Sequence, residues 1–597
     1  MRRSKLVSAM ALLATSALVL SACGGGDSGT TGGGQTQNQR PEDIGKADQV
    51  FKRPKMDDSG EFTMVREGKF TDYNNNTGAS NNFQNTVVLS NLQPSPYFFD
   101  LVDNQIVIKL DGDYMESVEV TSEDPMQVTW KVRKEAVWSD GEPFGCKDFY
   151  LQWFAATSTA KTVGDDGTEA SLWDSSPTGF KEISKLTCAD DNKTIVTDFS
   201  KPYADYRTVF SGMLPAHVLE REAGIPDITK LTDADTASVQ KAAEFYTTGW
   251  VGFDPAKGLS AGPYKIESTN DDETVLVRND KWWAEKGGPS KLTIRVNNDA
   301  QSAAQQLQNK EVDVIAIQAD GAVAQQLRGD SSIKTFALAG QTYEHIDFRM
   351  DFPLFQDKAV RDAVAACVNR QDLIDKLVKD VDPNAKPLGN VMFMPNEFGY
   401  EDHYADTGNG DVEAAKKILT DAGYTQGGDG IFAKNGQRVS FRIGHRIVER
   451  RSQTVRLMQA HCAPAGIEII DDQTENFNDE RLPASDFDVA LFAWVGTAVK
   501  SSSYGNYASR DAGGSANYNR YSNPEVDKTF NDANAELDYD KRVEMLNQVN
   551  KLMRADMHSL PLFVLPDFTA SQADISPISY VGAIGGVTWN LFAWQRG

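Results

Sequence analysis

Histidine and cysteine carry much of the metal and nucleophilic chemistry of proteins, and this sequence uses both sparingly. Its six histidines are scattered and never adopt the HxH or HExxH spacing of a metal site. The chain also lacks the G-x-S-x-G turn of an esterase and the P-loop of a nucleotide-binding site. The close pair Asp486 and Asp488 would share one face of a strand, where a solvated rim is a simpler interpretation than an acid–base pair. The sequence therefore predicts no enzymatic activity, no metal site and no cofactor.

The first of the five cysteines, Cys23, ends a segment that is typical of a secretory signal peptide. A positively charged start precedes a largely apolar run of 15 residues, Leu6 to Leu20, which is short for a permanent membrane span. Leu20-Ser21-Ala22-Cys23 resembles the bacterial lipobox, in which the cysteine is lipidated before cleavage. We therefore expect that residues 1–22 are removed and that Cys23 carries acyl chains such as palmitate.

Residues 23–40 are predicted to form a flexible tether behind this cysteine. They consist mainly of Gly, Ser, Thr, Gln and Asn and have almost no apolar side chain to bury. Two or more acyl chains anchor a protein stably to a membrane. We expect an exported protein that its lipid holds on the outer face of the bacterial cytoplasmic membrane.

The four remaining cysteines suit the same compartment. An even number of cysteines in an exported chain favours disulfides. Three pairings of Cys146, Cys188, Cys367 and Cys462 are possible, and buried free thiols are the alternative. No CxxC motif supports a zinc site.

The overall charge argues against one class of partner. The composition is that of a globular protein, with 40% hydrophobic and 24% charged residues. The formal net charge is −25, whereas proteins that bind nucleic acids cluster Lys and Arg against the phosphates. We therefore predict no nucleic-acid partner.

The body of the chain alternates short strand-like runs with amphipathic helical stretches, which is typical of α/β layers. The predicted strands are 127–132, 274–278, 292–296, 312–317, 438–443 and 487–494. The predicted helices are 300–308, 357–379, 411–422 and 540–557. Acidic Asp411 and Gly423 supply the start and stop signals of the third helix.

An ordered series of short segments carries a family resemblance from about residue 80 to the C-terminus. The segments combine a tryptophan-containing strand, a D-G-x-P turn, a G-P-Y strand and several helix signals, at Trp130–Lys134, Trp138–Phe144, Lys147–Phe149, Ala261–Ile266, Arg278–Trp283, Leu307–Asp313, Phe355–Asp357, Val360–Ala363, Ala415–Leu419, Ala422–Tyr424 and Tyr521–Asp527. In this order they resemble the family 5 extracellular solute-binding lipoproteins, which include the oligopeptide, dipeptide and nickel binding proteins of ABC importers.

The resemblance implies a two-lobed α/β fold like that of periplasmic binding proteins, with an enlarged first lobe and a hinge. By analogy, the large lobe would take residues 41–341 and 497–597, and the second lobe would take residues 342–496. The crossing strands would lie near 343–349 and 487–494. The preferred disulfides are Cys146–Cys188 and Cys367–Cys462, because each pair would then stay within one lobe.

The same resemblance implies a function without catalysis. The protein would be a monomer that captures oligopeptides or peptide-like solutes between its lobes. It would deliver them to a membrane permease driven by an ATPase subunit. Two alternatives stay open: a binder of a non-peptide solute, either an oligosaccharide or a metal chelate, and a lipid-anchored secreted hydrolase.

Candidate ligand contacts lie near the expected crossings and in one N-terminal segment. They combine aromatic rings, neutral amides and two basic side chains, at Trp494, Tyr504, Tyr507, Asn74, Asn75, Asn76, His345 and Arg349. An aromatic ring would cover a ligand, and amides offer donors and acceptors without fixed charge. Core packing for Trp494 and a solvated loop for the asparagines are the alternatives.

The sequence departs from the family pattern at one point. Peptide binders of this family often carry an Asp just after the Trp of the second crossing, where it holds the ligand's N-terminal ammonium. No carboxylate occurs between Trp494 and Lys500. Either another residue, such as Asp488 or Asp511, binds the amine, or the ligand has none.

Overall fold

The structure, a computed structural model, describes residues 50–597 apart from 79, 103–104, 164–168, 319, 497–498 and 580–584. The predicted signal peptide, Cys23 and the tether lie outside the described residues. Within the described ranges, no helix is long and apolar enough to cross a membrane.

The described residues form 24 strands. In chain order, β1 to β24 are Val50–Phe51, Gly60–Arg66, Tyr97–Val102, Gln105–Asp111, Met115–Glu123, Met126–Val132, Lys161–Val163, Glu169–Ser171, Ile183–Cys188, Thr194–Phe199, Tyr264–Thr269, Glu273–Arg278, Pro289–Val296, Val314–Ile317, Ile333–Phe348, Thr425–Gln426, Phe432–Lys434, Gln437–Arg438, Ser440–Arg446, Glu468–Thr474, Val489–Val495, Ser559–Gln572, Ile575–Ser576 and Gln595–Arg596.

The same part of the chain forms 13 α-helices. In chain order, α1 to α13 are Phe83–Leu89, Cys146–Thr157, Ala216–Ala223, Thr236–Thr248, Ala300–Gln308, Gly321–Arg328, Lys358–Cys367, Arg370–Leu377, Val412–Asp421, Glu449–Cys462, Tyr504–Tyr507, Pro524–Ala535 and Tyr539–Asp556. Strands and helices alternate along much of the chain, so the predicted α/β class is confirmed.

Ten of the described strands form one continuous sheet in the order β11-β12-β13-β2-β14-β22-β15-β21-β19-β20. The neighbours β13, β2 and β14 are parallel, as are β21, β19 and β20. Between these two groups lie β15 and β22, which pair antiparallel from Ile333↔Gln572 to Asp347↔Ser559. We call the side that contains β2 and β14 the first half, and the side that contains β21, β19 and β20 the second half.

Each half has its own hydrophobic cores on the two faces of the sheet. In the first half, Phe62 and Leu292 belong to one core, whereas Val65 and Leu307 belong to the other. In the second half, Ile346 and Phe441 belong to one core, and two further cores contact the opposite face. Burial of these apolar faces stabilises each half at roughly 25 cal/mol for each Å² removed from water.

The second strand that pairs across both halves is not the expected segment 487–494. The segment 487–494 contains β21, which pairs with β15 only from Thr342 to Phe348 and lies entirely in the second half. The strand that pairs with β15 across both halves is β22. The sequence does not predict this strand, because it contains Pro561 and Pro566 and proline is unusual in a central strand. Both prolines lie beside irregularities in the pairing, where a ladder hydrogen bond is already missing.

The expected large lobe includes residues 497–597, but some of these residues pack in the second half. Tyr507, Phe530 and Leu546 share a core with Tyr343 and Val391 of the second half. The packing therefore extends the second half beyond the predicted boundary at residue 496, as far as the middle of β22.

Helix boundaries agree with the sequence except at one asparagine. The predicted helices over 300–308 and 411–422 correspond to α5 and α9, and the Asp411 side chain accepts from the backbone N–H of Ala414. The predicted helix over 357–379 is divided into α7 and α8, because Asn369 accepts from the N–H of Asp372. Asparagine is a strong N-cap residue and so starts a new helix there.

The D-G-x-P turn positions a buried carboxylate at the start of α2. Gly141 adopts a φ of 100°, a region that favours glycine. Asp148 then accepts from the N–H groups of Gly145, at 2.8 Å, and Ala216, at 2.9 Å. Burial raises the pKa of Asp148 to about 6, although these two hydrogen bonds oppose the shift. This carboxylate therefore joins α2 to α3 and has a structural role.

Two disulfides are present, Cys146–Cys188 and Cys367–Cys462. The first joins α2 to β9 in the first half, and the second joins α7 to α10 in the second half. Each disulfide joins two residues of the same half, so neither bond links the two halves to each other.

Removal of the Cys367–Cys462 bond should destabilise the second half. The bond closes a loop with a sequence separation of 95 residues, so its loss gives the unfolded chain more conformational entropy. We expect the double variant Cys367→Ala/Cys462→Ala to lower the free energy of unfolding by about 2–5 kcal/mol, measured by denaturant titration. Variant and wild type are compared under the same oxidising conditions, so that Cys146–Cys188 is intact in both, and equal midpoints would contradict the prediction.

Candidate functional site

The pairing of β15 with β22 is interrupted where the two halves of the sheet meet. Ala339 pairs with Pro566 and Tyr343 pairs with Val564, so three residues of β15 lie opposite Leu565 alone. Such a bulge bends a strand and locally ends its ladder of hydrogen bonds. The chain therefore has a weakened point in both long strands at the boundary between the halves.

Glycines allow three strands to approach each other closely at this bulge. A Cβ atom at Gly340 would clash with the carboxylate of Asp567 and would lie 2.9 Å from the carbonyl oxygen of Leu565. The N–H of Gly496, just after β21, donates to the carbonyl oxygen of Gln341 at 2.6 Å. The backbone of the bulge is thus hydrogen-bonded to the residue that follows β21 and packed closely against β22.

A cavity of about 290 Å³ opens at the bulge, and we call it the cleft cavity. The first half lines it with the carboxyl ends of β2 and β14 and with one side of α1. The second half contributes Thr342 and Val495, and Gln341 and Asp567 lie at the boundary. In open α/β sheets, ligands bind beyond the carboxyl ends of parallel strands. The cleft cavity has this position.

Apolar side chains are unusually exposed around the cleft cavity. Val495 is 66% exposed and Phe83 is 40% exposed, and both line the cavity, Val495 from β21 in the second half and Phe83 from α1 in the first. Clustered exposed apolar side chains mark surfaces that bind a partner or ligand. The cleft cavity can therefore bury apolar parts of a ligand from both halves.

Polar groups of the cavity belong to both charged and neutral side chains. Arg66 donates to the carbonyl oxygens of Gln84, at 2.7 Å, and Glu67, at 3.3 Å. The carboxylate of Glu67 accepts from the N–H of Gln318 at 2.8 Å, which joins the ends of β2 and β14. Gln341 is only 3% exposed, and neither its Oε1 nor its Nε2 has a hydrogen-bond partner among the described residues.

Three of the residues expected to contact a ligand meet in one cluster in the second half. Trp494 is half-buried, stacks on Tyr518 with ring centroids 5.7 Å apart, and lies opposite Tyr343 in the sheet. The hydroxyl of Tyr507 is hydrogen-bonded to that of Tyr343. His345 is buried, and its ring lies 6.3 Å from that of Trp494. None of these three residues is among those that line the cleft cavity, and Trp494 and Val495 point to opposite faces of β21 because they are consecutive strand residues.

The structure does not bring Tyr504 or Arg349 to the cavity. The Tyr504 hydroxyl donates to the carbonyl oxygen of Ala512 at 3.0 Å and accepts from Asn531 at 2.7 Å. Arg349 follows the far end of β15, eight residues or roughly 26 Å beyond Gln341 at the usual rise per strand residue. It donates to the carboxylate of Asp351, among other acceptors. Both side chains hold local structure.

The asparagine run lies in the first half and is held by its own hydrogen bonds. Asn74 donates to the carbonyl oxygen of Tyr246 at 2.7 Å, Asn75 exchanges hydrogen bonds with Asn82, and Asn76 donates to Gly212 at 3.1 Å. Asn75 and Asn76 line a second cavity, of about 340 Å³, to which only first-half residues contribute among those described. The structure thus separates the asparagines from the Trp494 cluster.

The candidate amine-binding carboxylates are also away from the cleft cavity. Asp488 is buried against Arg442, with an ion-pair distance of 3.0 Å, and Asp511 is exposed in a short turn. Asp567 and Glu67 are the carboxylates that line the cavity. Within the described residues, no group of three or more His, Cys, Asp and Glu could hold a metal ion.

A buried ion pair joins the halves at a second place. Asp205, from the first half, accepts from both terminal nitrogens of Arg542 on α13, each at 2.6 Å, and from the N–H of Ser501 at 2.8 Å. Tyr203 is hydrogen-bonded to the Ser501 hydroxyl at 2.7 Å. Burial alone would raise the pKa of Asp205, but the charge and hydrogen bonds of Arg542 outweigh it and lower the pKa.

The sequence contains one signal that could have identified this site. Gly340 interrupts a run that otherwise reads as a strand, and an isolated glycine in a strand often marks a bulge or a close approach of the backbone. Gln341, Phe83 and Val495 form no motif, because they come from distant parts of the chain and meet only through the sheet.

Comparisons with known proteins agree with this architecture. The family model described as "Bacterial extracellular solute-binding proteins, family 5 Middle" matches residues 109–516. The oligopeptide-binding protein OppA of Mycobacterium tuberculosis is 26% identical over 484 residues, covering 79% of this chain and 75% of that protein. A Mycobacterium leprae lipoprotein is 27% identical over 566 residues, covering 90% and 93%. The solved periplasmic EDTA-binding protein EppA has a TM-score of 0.79 and 26% identity, covering 91% and 98%.

The Asp205–Arg542 pair should hold the two halves together above acidic pH. Because the folded pKa of Asp205 is lowered, its stabilisation is present above the unfolded pKa of about 3.9 and is lost as the pH falls through the folded value. We expect Asp205→Asn to cost about 3–5 kcal/mol, since Arg542 is left buried without its partner, and to widen the molecule in small-angle scattering at neutral pH.

The exposed Asp511→Asn is the matched control and should change neither quantity. An Asp205→Asn variant with the stability and the scattering profile of wild type would contradict a contribution of the pair to closure.

Proposed function

The chain belongs to the bacterial extracellular solute-binding proteins of family 5, and we propose that it captures oligopeptides in the cleft cavity and delivers them to the permease of an ABC importer. The observation that carries the proposal is the position of this cavity. It lies at the bulge of the two long strands and is lined from both halves. A ligand there contacts both halves at once and so favours the conformation in which they are close.

The arrangement of the strands supports a closing motion. The chain passes between the halves along β15 and β22, and their pairing is interrupted at the boundary. Hinges of this kind need only a few residues that absorb changes in φ and ψ. Asp205 and Arg542 meet away from the bulge and would separate when the halves open. The two lobes implied by the sequence correspond, in this proposal, to the two halves, with the second lobe ending near Pro566.

The walls of the cavity suit a peptide. Val495 and Phe83 offer apolar contacts for side chains, and Gln341 offers a neutral donor and acceptor for the main chain. Glu67 and Asp567 supply the negative charge that a ligand ammonium needs, since the family's usual Asp after Trp494 is missing. The similarity to a protein named for oligopeptide binding supports the same ligand class.

A metal chelate is the second candidate. The solved structure with a TM-score of 0.79 is named for binding EDTA, and Arg66 lies in the cavity wall, where a guanidinium could meet a carboxylate of a chelate. The two ligand classes differ in one chemical respect. A peptide carries N–H donors along its main chain, whereas a polycarboxylate chelate offers mainly acceptors.

We also propose that the protein is an exported lipoprotein anchored through Cys23. The lipobox-like Leu20–Cys23 and the polar tether support this location, as does the similarity to a protein named as a lipoprotein. An anchor of this kind keeps the binding protein close to its permease, and the tether of residues 23–40 leaves it free to turn toward it.

Native mass spectrometry of protein purified from its own host should detect a peptide bound at one-to-one stoichiometry.

Val495→Asp should weaken the binding of that peptide at least tenfold in calorimetry, because it puts a charge against the apolar part of the ligand. Val251→Asp is the matched control, since Val251 is 68% exposed but lies outside the cleft cavity. A bound chelate would favour the second candidate, and release of a cleaved product would contradict a binding protein without catalysis.

Cys23→Ala should abolish lipidation. Cells that express the wild type should incorporate labelled glycerol and palmitate into the protein, and the variant should incorporate neither label. The variant should also appear in the soluble exported fraction and not in the membrane fraction. Equal labelling of the variant and the wild type would contradict the anchor at this residue.

A further inference from the structure

Gln341 is a buried polar side chain without a partner. It is 3% exposed, and both its Oε1 and its Nε2 lack hydrogen bonds among the described residues, although the side chain lines the cleft cavity. Most buried amides in proteins are fully paired. An unpaired buried donor and acceptor destabilise the fold, because each has lost its hydrogen bonds to water. A ligand in the cavity would supply the missing partners.

The backbone around Gln341 fixes its side chain in place. Its carbonyl oxygen accepts from the N–H of Gly496, and its neighbour Gly340 is packed too closely against Asp567 and Leu565 to carry a side chain. The bulge also removes this segment from the regular pairing with β22. Gln341 therefore holds an unpartnered amide in the wall of the cleft cavity, at the bulge itself.

The chemistry of a primary amide selects its partner. Oε1 accepts one hydrogen bond and Nε2 donates in the same plane, a few ångströms away. In an antiparallel sheet, a hydrogen-bonded pair of residues exchanges both N–H···O bonds. An extended residue therefore presents its own N–H and C=O toward one side, and a single side-chain amide can bind both groups.

We propose that Gln341 binds the main chain of one extended residue of the bound peptide, with Oε1 accepting from its N–H and Nε2 donating to its C=O. This inference rests on the proposed peptide ligand. It identifies Gln341 as a specificity-determining residue, because a solute without an N–H donor leaves Oε1 unpaired. It also couples recognition to closure, since the contact is made at the bulge that joins the halves.

An N-methyl scan tests the contact directly. The probes are a pool of random five-residue peptides and four matched pools, each N-methylated at one of the four peptide bonds. In wild type, one of the four pools should bind at least tenfold more weakly than the parent pool, because its N–H is missing at the residue bound by Gln341. In Gln341→Met, the parent pool should bind at least tenfold more weakly, and the same N-methyl group should have no further effect.

Two further measurements separate this contact from a general loss of structure. Gln341→Met removes two unpaired polar atoms, so the ligand-free variant should unfold at the same temperature as the wild type or at a higher one. Gln318→Met, a change of the same type in the wall of the same cavity, should keep the position-specific effect of N-methylation.

The outcomes distinguish the two proposals. If wild type binds the peptides but Gln341→Met keeps both the affinity and the N-methyl effect, the contact is overturned and the peptide-binding function stands. If wild type binds none of the peptide pools, the peptide-binding function fails and this inference fails with it.

Discussion

The antiparallel pairing of β15 with β22 is the interaction on which the rest of the structure depends. A ladder of backbone hydrogen bonds in the middle of a ten-stranded sheet would normally make one rigid layer. Here the ladder is broken for three residues of β15, between Ala339 and Tyr343. Each half keeps its own cores, and the pairing of β15 with β22 resumes on both sides of the boundary, with one further irregularity between Glu344 and His345 in the second half. The cleft cavity opens at the same interruption, and Gln341 forms part of its wall there.

The two points of contact between the halves differ in what they contribute. In the Asp205–Arg542 pair both charges have their counter-charge within the protein, and two short hydrogen bonds compensate for their burial, although Nε of Arg542 has no hydrogen-bond partner among the described residues. The cleft cavity is incomplete, with exposed apolar side chains and an unpaired amide. One contact thus has its charged partners within the protein, whereas the other leaves polar and apolar groups without a partner among the described residues.

The sequence predicted local features well and the long-range ones poorly. The helix over 300–308 and the capping of α9 by Asp411 can be predicted from the sequence, because caps and periodicity depend only on neighbouring residues. The strand β22 was missed, because Pro561 and Pro566 normally exclude a central strand and only the bulges tolerate them. Gln341 could not be found for a different reason. What distinguishes Gln341 is a lack of hydrogen-bond partners among the described residues, which depends on the surrounding fold and has no sequence pattern.

The order of the strands along the chain has a consequence for biogenesis. The first half begins with β2, yet its sheet is completed by β22, and its core includes Ile575, Leu591 and Trp594. The ribosome must therefore finish almost the whole chain before the first half can close, whereas the elements of the second half are synthesised consecutively between β15 and β22. Contacts between such distant segments form slowly. Late completion of the larger core would keep the emerging chain in the unfolded state that a translocation channel accepts.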